Sequence, residues 1–145
     1  MSNLSAFLCD NVAQMTNTKY AASPRIKGED GKPVLWEIHC IGSDEYAKIR
    51  SSCIKQVPMP GKKGQYTQTL DSYAFQSKIC VRCTVFPDLN DAALQDSWGV
   101  VSATELLGKL LTPGEFEDYA GAVFEANGFT LGDDPMRELV DEAKN

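Results

Sequence analysis

Apolar residues recur at helical spacing at the start of the chain and then change to a period of two. The first twelve residues predict a short amphipathic helix with one buried face. The side chains on this face are Leu4, Phe7 and Leu8. From Lys19 onwards alternate positions are apolar, which predicts two strands, 19–27 and 34–41, joined by a tight turn at Asp30-Gly31. An N-terminal β-hairpin is therefore expected.

Two helices are predicted between this hairpin and residue 87. The first begins at Ser43 and runs to about Ile54, and the second begins at about Asp71. The apolar face of the second helix consists of Phe75, Ile79, Cys83 and Phe86. Because the segment 57–65 between them contains two Pro and two Gly, we expect an irregular loop there.

Every segment after Pro87 has the periodicity of helices. The expected N-caps are Asn90, Ser102 and Thr112. A glutamate three residues after each of the last two caps predicts a capping box at both positions. Asp134-Pro135 can begin a final short helix that is acidic. The C-terminal half is thus expected to be a cluster of short, well-capped helices.

Together these elements predict an α+β fold. An N-terminal β-hairpin or small antiparallel sheet is expected to pack on helices, followed by the C-terminal helical cluster. We expect a single domain over residues 1–129, with the hairpin and its helices in 1–85 and the helical cluster in 86–129. Residues 130–145 are expected to form an acidic C-terminal helix or tail.

The net charge of −6 is unevenly distributed along the chain. Residues 1–85 contain eleven Lys or Arg against seven Asp or Glu, whereas residues 86–145 contain three against thirteen. This acidic excess argues against a protein that binds nucleic acid by neutralising phosphates. The longest apolar run has four residues and no basic residue precedes Lys19, so neither a membrane helix nor a secretory signal is expected. We therefore expect a cytoplasmic protein.

The cysteines offer the one candidate for chemistry. Their number is five, which is odd, and this favours reduced thiols over disulfides. Cys80 and Cys83 form a CxxC motif, which is typical of thiol redox enzymes or of half a zinc site. Redox chemistry is disfavoured because the motif lies near the end of a predicted helix, where the dipole opposes a thiolate. A zinc-binding protein that uses these two cysteines remains an alternative, and otherwise no cofactor and no catalysis are expected.

Two blocks of sequence resemble a known family. They are residues 83–101, CTVFPDLNDAALQDSWGVV, and residues 107–129, LGKLLTPGEFEDYAGAVFEANGF. Together with MSNLSAFLCDNV, GKPVLWEI and VPMPGKKGQY, they are similar to the XkdN-like tail assembly chaperones of PBSX-type prophages. The resemblance covers residues 1 to about 129. It implies a non-enzymatic protein that binds the tape measure protein in the host bacterial cytoplasm, keeps it soluble and assists assembly of the tail tube. The tail tube protein is a further partner that this role suggests.

Such a role needs an apolar surface that can cover the apolar stripes of a helical partner protein. The helices after Pro87 are rich in apolar side chains, and we expect a subset of them to line an exposed groove or a self-association surface. This subset is Trp98, Leu107, Leu111, Phe116 and Tyr119. The acidic residues around them would favour Lys-rich targets. The alternative function is a structural phage module that assembles with itself into rings.

Overall fold

The computed structural model describes residues 3–130, which contain a 3-10 helix, five strands and five α-helices. The 3-10 helix spans Asn3–Phe7 at the start of this range. The strands are β1 (Thr18–Tyr20), β2 (Trp36–Ile38), β3 (Ile54–Pro58), β4 (Tyr66–Leu70) and β5 (Thr84–Phe86). The helices are α1 (Ser43–Ser52), α2 (Ser72–Cys83), α3 (Ala92–Trp98), α4 (Ala103–Leu110) and α5 (Pro113–Ala126). The expected α+β class is confirmed.

The main sheet has three antiparallel strands in the order β1-β2-β5. Tyr20 of β1 lies opposite Trp36 of β2, so the predicted pairing of these two segments is confirmed. The connection between them is a long hairpin whose tip is closed by a bridge between Lys27 and Pro33. The strands are shorter than expected because the intervening stretch contains Pro24, which cannot donate a ladder hydrogen bond.

A second hairpin replaces the loop expected over residues 57–65. Strands β3 and β4 pair antiparallel, from Ile54 opposite Leu70 to Pro58 opposite Tyr66. Only the residues between Pro58 and Tyr66 form the connection. The sequence prediction gave weight to the Pro and Gly residues of this connection and missed the β-branched residues of the two strands, which are Ile54, Val57, Thr67 and Thr69.

Helix α2 ends earlier than expected, at Cys83, and the chain then extends the sheet as β5. Thr84 takes an extended conformation, and its hydroxyl donates a hydrogen bond of 2.6 Å to the carbonyl of Cys80. This bond satisfies a carbonyl in the last turn of the helix. The β-branched residues Thr84 and Val85 favour a strand. The prediction that Phe86 continues the helical stripe is therefore wrong, and the Phe86 side chain is half exposed.

The N-terminal segment does not bury its apolar face. Leu4, Phe7 and Leu8 are 71%, 77% and 57% exposed, and no residue of the 3-10 helix is buried. The expected amphipathic helix over the first twelve residues is thus both shorter than predicted and unburied. The physical reason is that burial needs a facing element, whereas the hydrophobic core of residues 3–130 begins only at Tyr20.

The sheet and the C-terminal helices share one core. Trp36 and Ile38 of β2 are buried, as are the apolar faces of α2, α4 and α5. The ring of Tyr119 on α5 meets the ring of Trp36 edge-on at 4.9 Å, and its hydroxyl lies 2.6 Å from Thr84 Oγ1 on β5.

The single domain expected for residues 1–129 stays a prediction. Apart from Thr130, the acidic helix or tail expected for 130–145 lies outside the described residues.

A cluster of hydrogen bonds around Glu115 joins the start of α5 to the segment after β1. The predicted capping box is confirmed, because the Glu115 carboxylate accepts from the Thr112 amide while the Thr112 hydroxyl accepts from the Glu115 amide. The same carboxylate accepts from Arg25 at 2.7 Å and from the Ser23 hydroxyl at 2.6 Å. Hydrogen bonds from Arg25, then Ser23, then the Thr112 amide lower the pKa of Glu115 to about 2. Arg25 also donates to the carbonyl of Leu110, at the end of α4.

The starts of α3 and α4 bear out the predicted capping in part. Ser102 is the N-cap of α4, and its hydroxyl accepts from the Glu105 amide at 3.2 Å. The Glu105 carboxylate reaches back to the amide of Val101 and not to that of Ser102. Helix α3 is capped by Asp91 and not by Asn90, because the Asp91 carboxylate accepts from the amide of Leu94.

Candidate partner-binding site

The five residues expected to line a groove do not share one surface. Trp98 is 41% exposed, whereas the exposure of the other four lies between 0% and 6%. These four residues are Leu107, Leu111, Phe116 and Tyr119. The expectation that they are exposed is wrong. Whether Trp98 contacts a partner stays a prediction.

The four side chains are buried because the N-terminal half covers them. Tyr119 packs against Trp36 of β2 and lies 6.0 Å from the ring of Tyr20 of β1. Phe116 lies 5.2 Å from the ring of Tyr73 on α2. The sequence prediction placed these side chains on an exposed groove, but the sheet and α2 supply the second layer that covers their apolar faces.

A surface cleft of about 590 Å³ opens between α2 and α4. We call it the α2–α4 cleft. Its walls are Tyr73, Ala74, Ser77 and Lys78 of α2, and Thr104, Glu105, Gly108 and Lys109 of α4, with Gly99 and Val100 completing the lining. Sequence reasoning missed this site because its residues are not a stripe of large apolar side chains. The signal was the pair of small-residue stripes at a spacing of three or four along both helices.

The small residues on both walls leave the space open. Ala74 and Ser77 on α2 and Gly108 on α4 have short side chains or none. A Cβ built on Gly108 would lie 3.4 Å from the hydroxyl of Tyr73, close to van der Waals contact. Glycine within a helix is less stable than alanine by about 0.5–1 kcal/mol. The absence of a side chain at Gly108 therefore widens the cleft at a cost in helix stability.

Ser77 is the most unusual group of the cleft. It is only 3% exposed, and its Oγ has no hydrogen-bond partner among the described residues. A buried hydroxyl without a partner costs about 1–3 kcal/mol. Ser77 lines the cleft, but its Oγ has almost no solvent-accessible area, so a group in the cleft reaches this oxygen only if the Ser77 side chain rotates.

The α2–α4 cleft carries two lysines and one glutamate. Lys78 and Lys109 are exposed there, and Lys109 is the only basic residue in the sequence between residues 86 and 130. Within the described part of the chain neither lysine forms a salt bridge, although Lys78 donates to the Ser52 hydroxyl at 3.4 Å. Glu105 is the acidic residue of the cleft, and its carboxylate accepts from the backbone of Val101.

Trp98 and Val101 are exposed apolar residues on either side of Gly99 and Val100, which line the cleft. Trp98 ends α3, Gly99 follows in the left-handed conformation with φ of 68°, and Val101 is 86% exposed. A second group of exposed apolar side chains precedes β1. It consists of Leu4, Phe7, Leu8, Val12 and Met15. Exposed apolar groups of this kind are typical of protein interfaces.

The CxxC motif is part of the core. Cys80 and Cys83 are both fully buried, and burial is the main cause that raises the pKa of each thiol. Both thiols are therefore held neutral. Among residues 3–130 no three His, Cys, Asp or Glu side chains are grouped to hold a metal ion, so the zinc-binding alternative gains no support.

Residues 3–130 thus have an α+β fold with an open, partly apolar cleft between two helices. None of the helices described in it has the length and apolarity to cross a bilayer. Comparison with known proteins identifies the group. Residues 4–144 match the sequence model of the phage XkdN-like tail assembly chaperone protein (TAC). The chain belongs to this family of phage tail assembly chaperones, which confirms the resemblance seen in the sequence.

Individual relatives cover nearly the whole chain. The phage-like element PBSX protein XkdN of Bacillus subtilis (strain 168) is 23% identical over 99% of this chain and 94% of its own length. The protein YqbN of the same strain is 24% identical over 99% of this chain and 93% of its own. A crystal structure of YqbN superposes with a TM-score of 0.72 at 21% identity, covering 90% of this chain and 99% of that one. This likeness shows that the fold is shared.

Proposed function

We propose that this protein binds the tape measure protein of its phage in the cytoplasm of the host bacterium, keeps it soluble, and assists assembly of the tail tube. Membership of the tail assembly chaperone family supports this role. The observation that carries the proposal is the extent of the family match, which covers residues 4–144 of the chain.

The physical reason for this role is the nature of the tape measure protein that is bound. A long helical chain with apolar stripes is prone to aggregate until the tube encloses it. A groove between two helices can take a third amphipathic helix, and small residues on the groove walls allow a close approach. The proposed role is one of binding and release without catalysis. The neutral, buried thiols of Cys80 and Cys83 fit this role, since they are not available as nucleophiles.

Co-expression tests the proposal. The tape measure protein is expressed alone, with this chain, and with an unrelated acidic helical protein of similar size. We expect it to aggregate alone and with the control, and to stay soluble and co-purify with this chain. The same co-expression and co-purification, carried out with the tail tube protein, tests whether that protein is also a partner. Equal aggregation of the tape measure protein in all three samples would refute the proposal.

Self-assembly into rings is the second candidate function. The observation that favours it is the opposite charge of the two ends of the sequence, positive over residues 1–85 and strongly negative over 86–145. Such a distribution favours head-to-tail contact between copies. Light scattering of the purified protein at low and high salt distinguishes self-assembly into rings from the chaperone function. A closed ring that forms without the tape measure protein, and that does not bind it, would favour this second function.

A further inference from the structure

We infer that the α2–α4 cleft is the docking site for an acidic amphipathic helix of the partner, which hydrogen-bonds Ser77 and places a carboxylate beside Lys78 and Lys109. The inference rests on the proposed function and names the chemistry of the segment that is bound. It reverses the preference for Lys-rich targets that the net charge of the chain suggests.

The buried hydroxyl of Ser77 is the first argument. A serine at a purely structural position on α2 would donate to a carbonyl one turn earlier or would face water. Ser77 Oγ does neither, because it is buried and has no partner in the described part of the chain. In the described conformation the Oγ is inaccessible from the cleft, so a side-chain amide, hydroxyl or carboxylate of a docked helix pairs with it only after the Ser77 side chain rotates. Such pairing removes the cost of the orphaned group, and this gain exists only in the complex.

The second argument is the placement of positive charge. The C-terminal half is strongly acidic, yet Lys109, its one basic residue before position 131, lies at the cleft, and Lys78 lies on the facing wall. Among residues 3–130 no carboxylate forms a salt bridge with either lysine. The single carboxylate of the lining, that of Glu105, accepts a backbone hydrogen bond from Val101. The two ammonium groups therefore favour an acidic ligand by electrostatic complementarity.

The third argument concerns shape. The walls carry Ala74 and Ser77 on one side and Gly108 on the other, so a helix can approach both backbones closely. The ring of Tyr73 is held against the buried ring of Phe116 and supplies an apolar surface with a polar tip. A wider site with large apolar walls would accept any apolar segment. The α2–α4 cleft instead selects a helix whose docking face carries short apolar side chains or one apolar side chain.

The decisive variant is Gly108→Leu, which fills the cleft with a side chain from an exposed helical position. Replacement of glycine within a helix favours the helix, and circular dichroism with urea denaturation checks that the variant is as stable as the parent. The matched control is Gly121→Leu on α5, where the glycine is also exposed and a Cβ meets nothing within 4 Å. Charge is tested by Lys78→Glu with Lys109→Glu. The matched control for charge is Lys48→Glu with Lys63→Glu, which alters two exposed lysines outside the cleft.

Two sets of probes are titrated by fluorescence anisotropy, and the backbone amides of Ser77 and Gly108 are followed by NMR. The first set is overlapping peptides of about 20 residues from the tape measure protein, each long enough for roughly 30 Å of helix. The second is a designed helix with an Ala and Leu stripe flanked by Glu, together with its twin in which Lys replaces every Glu. The designed pair probes the cleft independently of the tape measure protein.

We expect the tightest tape measure peptides to be acidic and to shift the Ser77 and Gly108 amides. Gly108→Leu and the Lys78/Lys109 double variant should each weaken binding roughly tenfold or more, and the two controls should not. Ser77→Ala should weaken it by a smaller factor. The designed Glu helix should bind more tightly than its Lys twin.

Other results would overturn the inference. Tape measure peptides that bind with equal affinity to Gly108→Leu, or a Lys twin as tight as the Glu helix, would leave the proposed function standing and remove the cleft as its site. If Gly108→Leu in the free protein shifts the amides of residues 131–145, or dissociates an oligomer, the occupant is the chain's own segment or a second copy. If no tape measure peptide and no intact tape measure protein binds, the proposed function fails, while the designed pair still decides the chemistry of the cleft.

Discussion

The N-terminal segment and the C-terminal helices have similar apolar patterns, and the protein uses them in opposite ways. Phe7 is 77% exposed on a 3-10 helix with no buried residue, whereas Tyr119 of α5 is fully buried against the sheet. A pattern of apolar residues thus predicts that a helix has an apolar face. It does not predict whether that face is covered by the same chain or by another.

The difference arises from what each segment contacts. The start of α5 is held by the Glu115 carboxylate, which binds the segment after β1, and its apolar face meets Trp36. In the N-terminal segment the Asn11 side chain donates a hydrogen bond to the Ser5 carbonyl, six residues earlier. The C-terminal helices are therefore part of the core, whereas the large apolar side chains of the N-terminal segment are exposed.

The largest expected effect is that of Tyr119→Ala. This change removes a fully buried ring from its contacts with Trp36 and Tyr20, and we expect the free energy of unfolding to fall by about 3–5 kcal/mol. Urea denaturation followed by circular dichroism measures the effect. Tyr119→Phe removes only the hydrogen bond to Thr84 and should cost about 1 kcal/mol. A Tyr119→Ala protein as stable as the parent would show that the ring is not part of the core.

A pH-dependent loss of stability is expected from Glu115. Hydrogen bonds lower its pKa in the folded protein from 4.5 to about 2, so the stability that it contributes is fully present above pH 4.5 and is lost as the pH falls towards 2. Glu115→Gln should abolish this part of the acid dependence. Denaturation at several pH values from 7 to 2 measures it, with Glu117→Gln, an exposed position on the same helix, controlling for the loss of one charge. An unchanged acid profile in Glu115→Gln would contradict the assignment.

A smaller effect is expected at the cap of α5. Thr112→Ala removes the hydroxyl that accepts from the Glu115 amide and should lower the free energy of unfolding by about 1 kcal/mol. Thermal denaturation measures this change. Thr112→Ser keeps the hydroxyl and should retain most of the stability. If Thr112→Ser destabilises as much as Thr112→Ala, the methyl group and not the cap is responsible.

The smallest expected effect is that of a change in the exposed N-terminal segment. Because Phe7 is exposed, Phe7→Ser should change the free energy of unfolding by no more than about 0.5 kcal/mol. The same denaturation experiment applies, and Leu107→Ser at a fully buried position is the contrasting variant. A loss above about 1 kcal/mol for Phe7→Ser would mean that the N-terminal segment packs on the core in solution, and the comparison would fail.

The part of the fold that could be predicted is the part that local interactions decide. The caps of α4 and α5, and the start of α2 at Asp71, depend on residues within one turn of each other. The β3–β4 hairpin and strand β5 were missed. Strand β5 depends on a distant partner, since Thr84 leaves helix α2 and pairs with β2, a strand some fifty residues earlier in the sequence.

The candidate site was hardly predictable. Of the five residues expected at a binding surface only Trp98 is exposed, and the cleft is formed by residues such as Ser77 and Gly108 that have little apolar area. A large apolar side chain marks a position that must be covered, and within one chain it is usually covered by the core. A cleft is marked instead by the residues that leave space, and they become informative only when two helices are placed side by side.

By itself the sequence determined the class of the fold, the starts of α2, α4 and α5 and, through its resemblance to known tail assembly chaperones, the family. Only the tertiary structure decided which apolar faces are buried and which surface is open. The reason is that caps and periodicity act between residues a few positions apart, whereas burial depends on which distant segment lies opposite each face. For Tyr119 that segment is the sheet, and for Ser77 it is the space between α2 and α4.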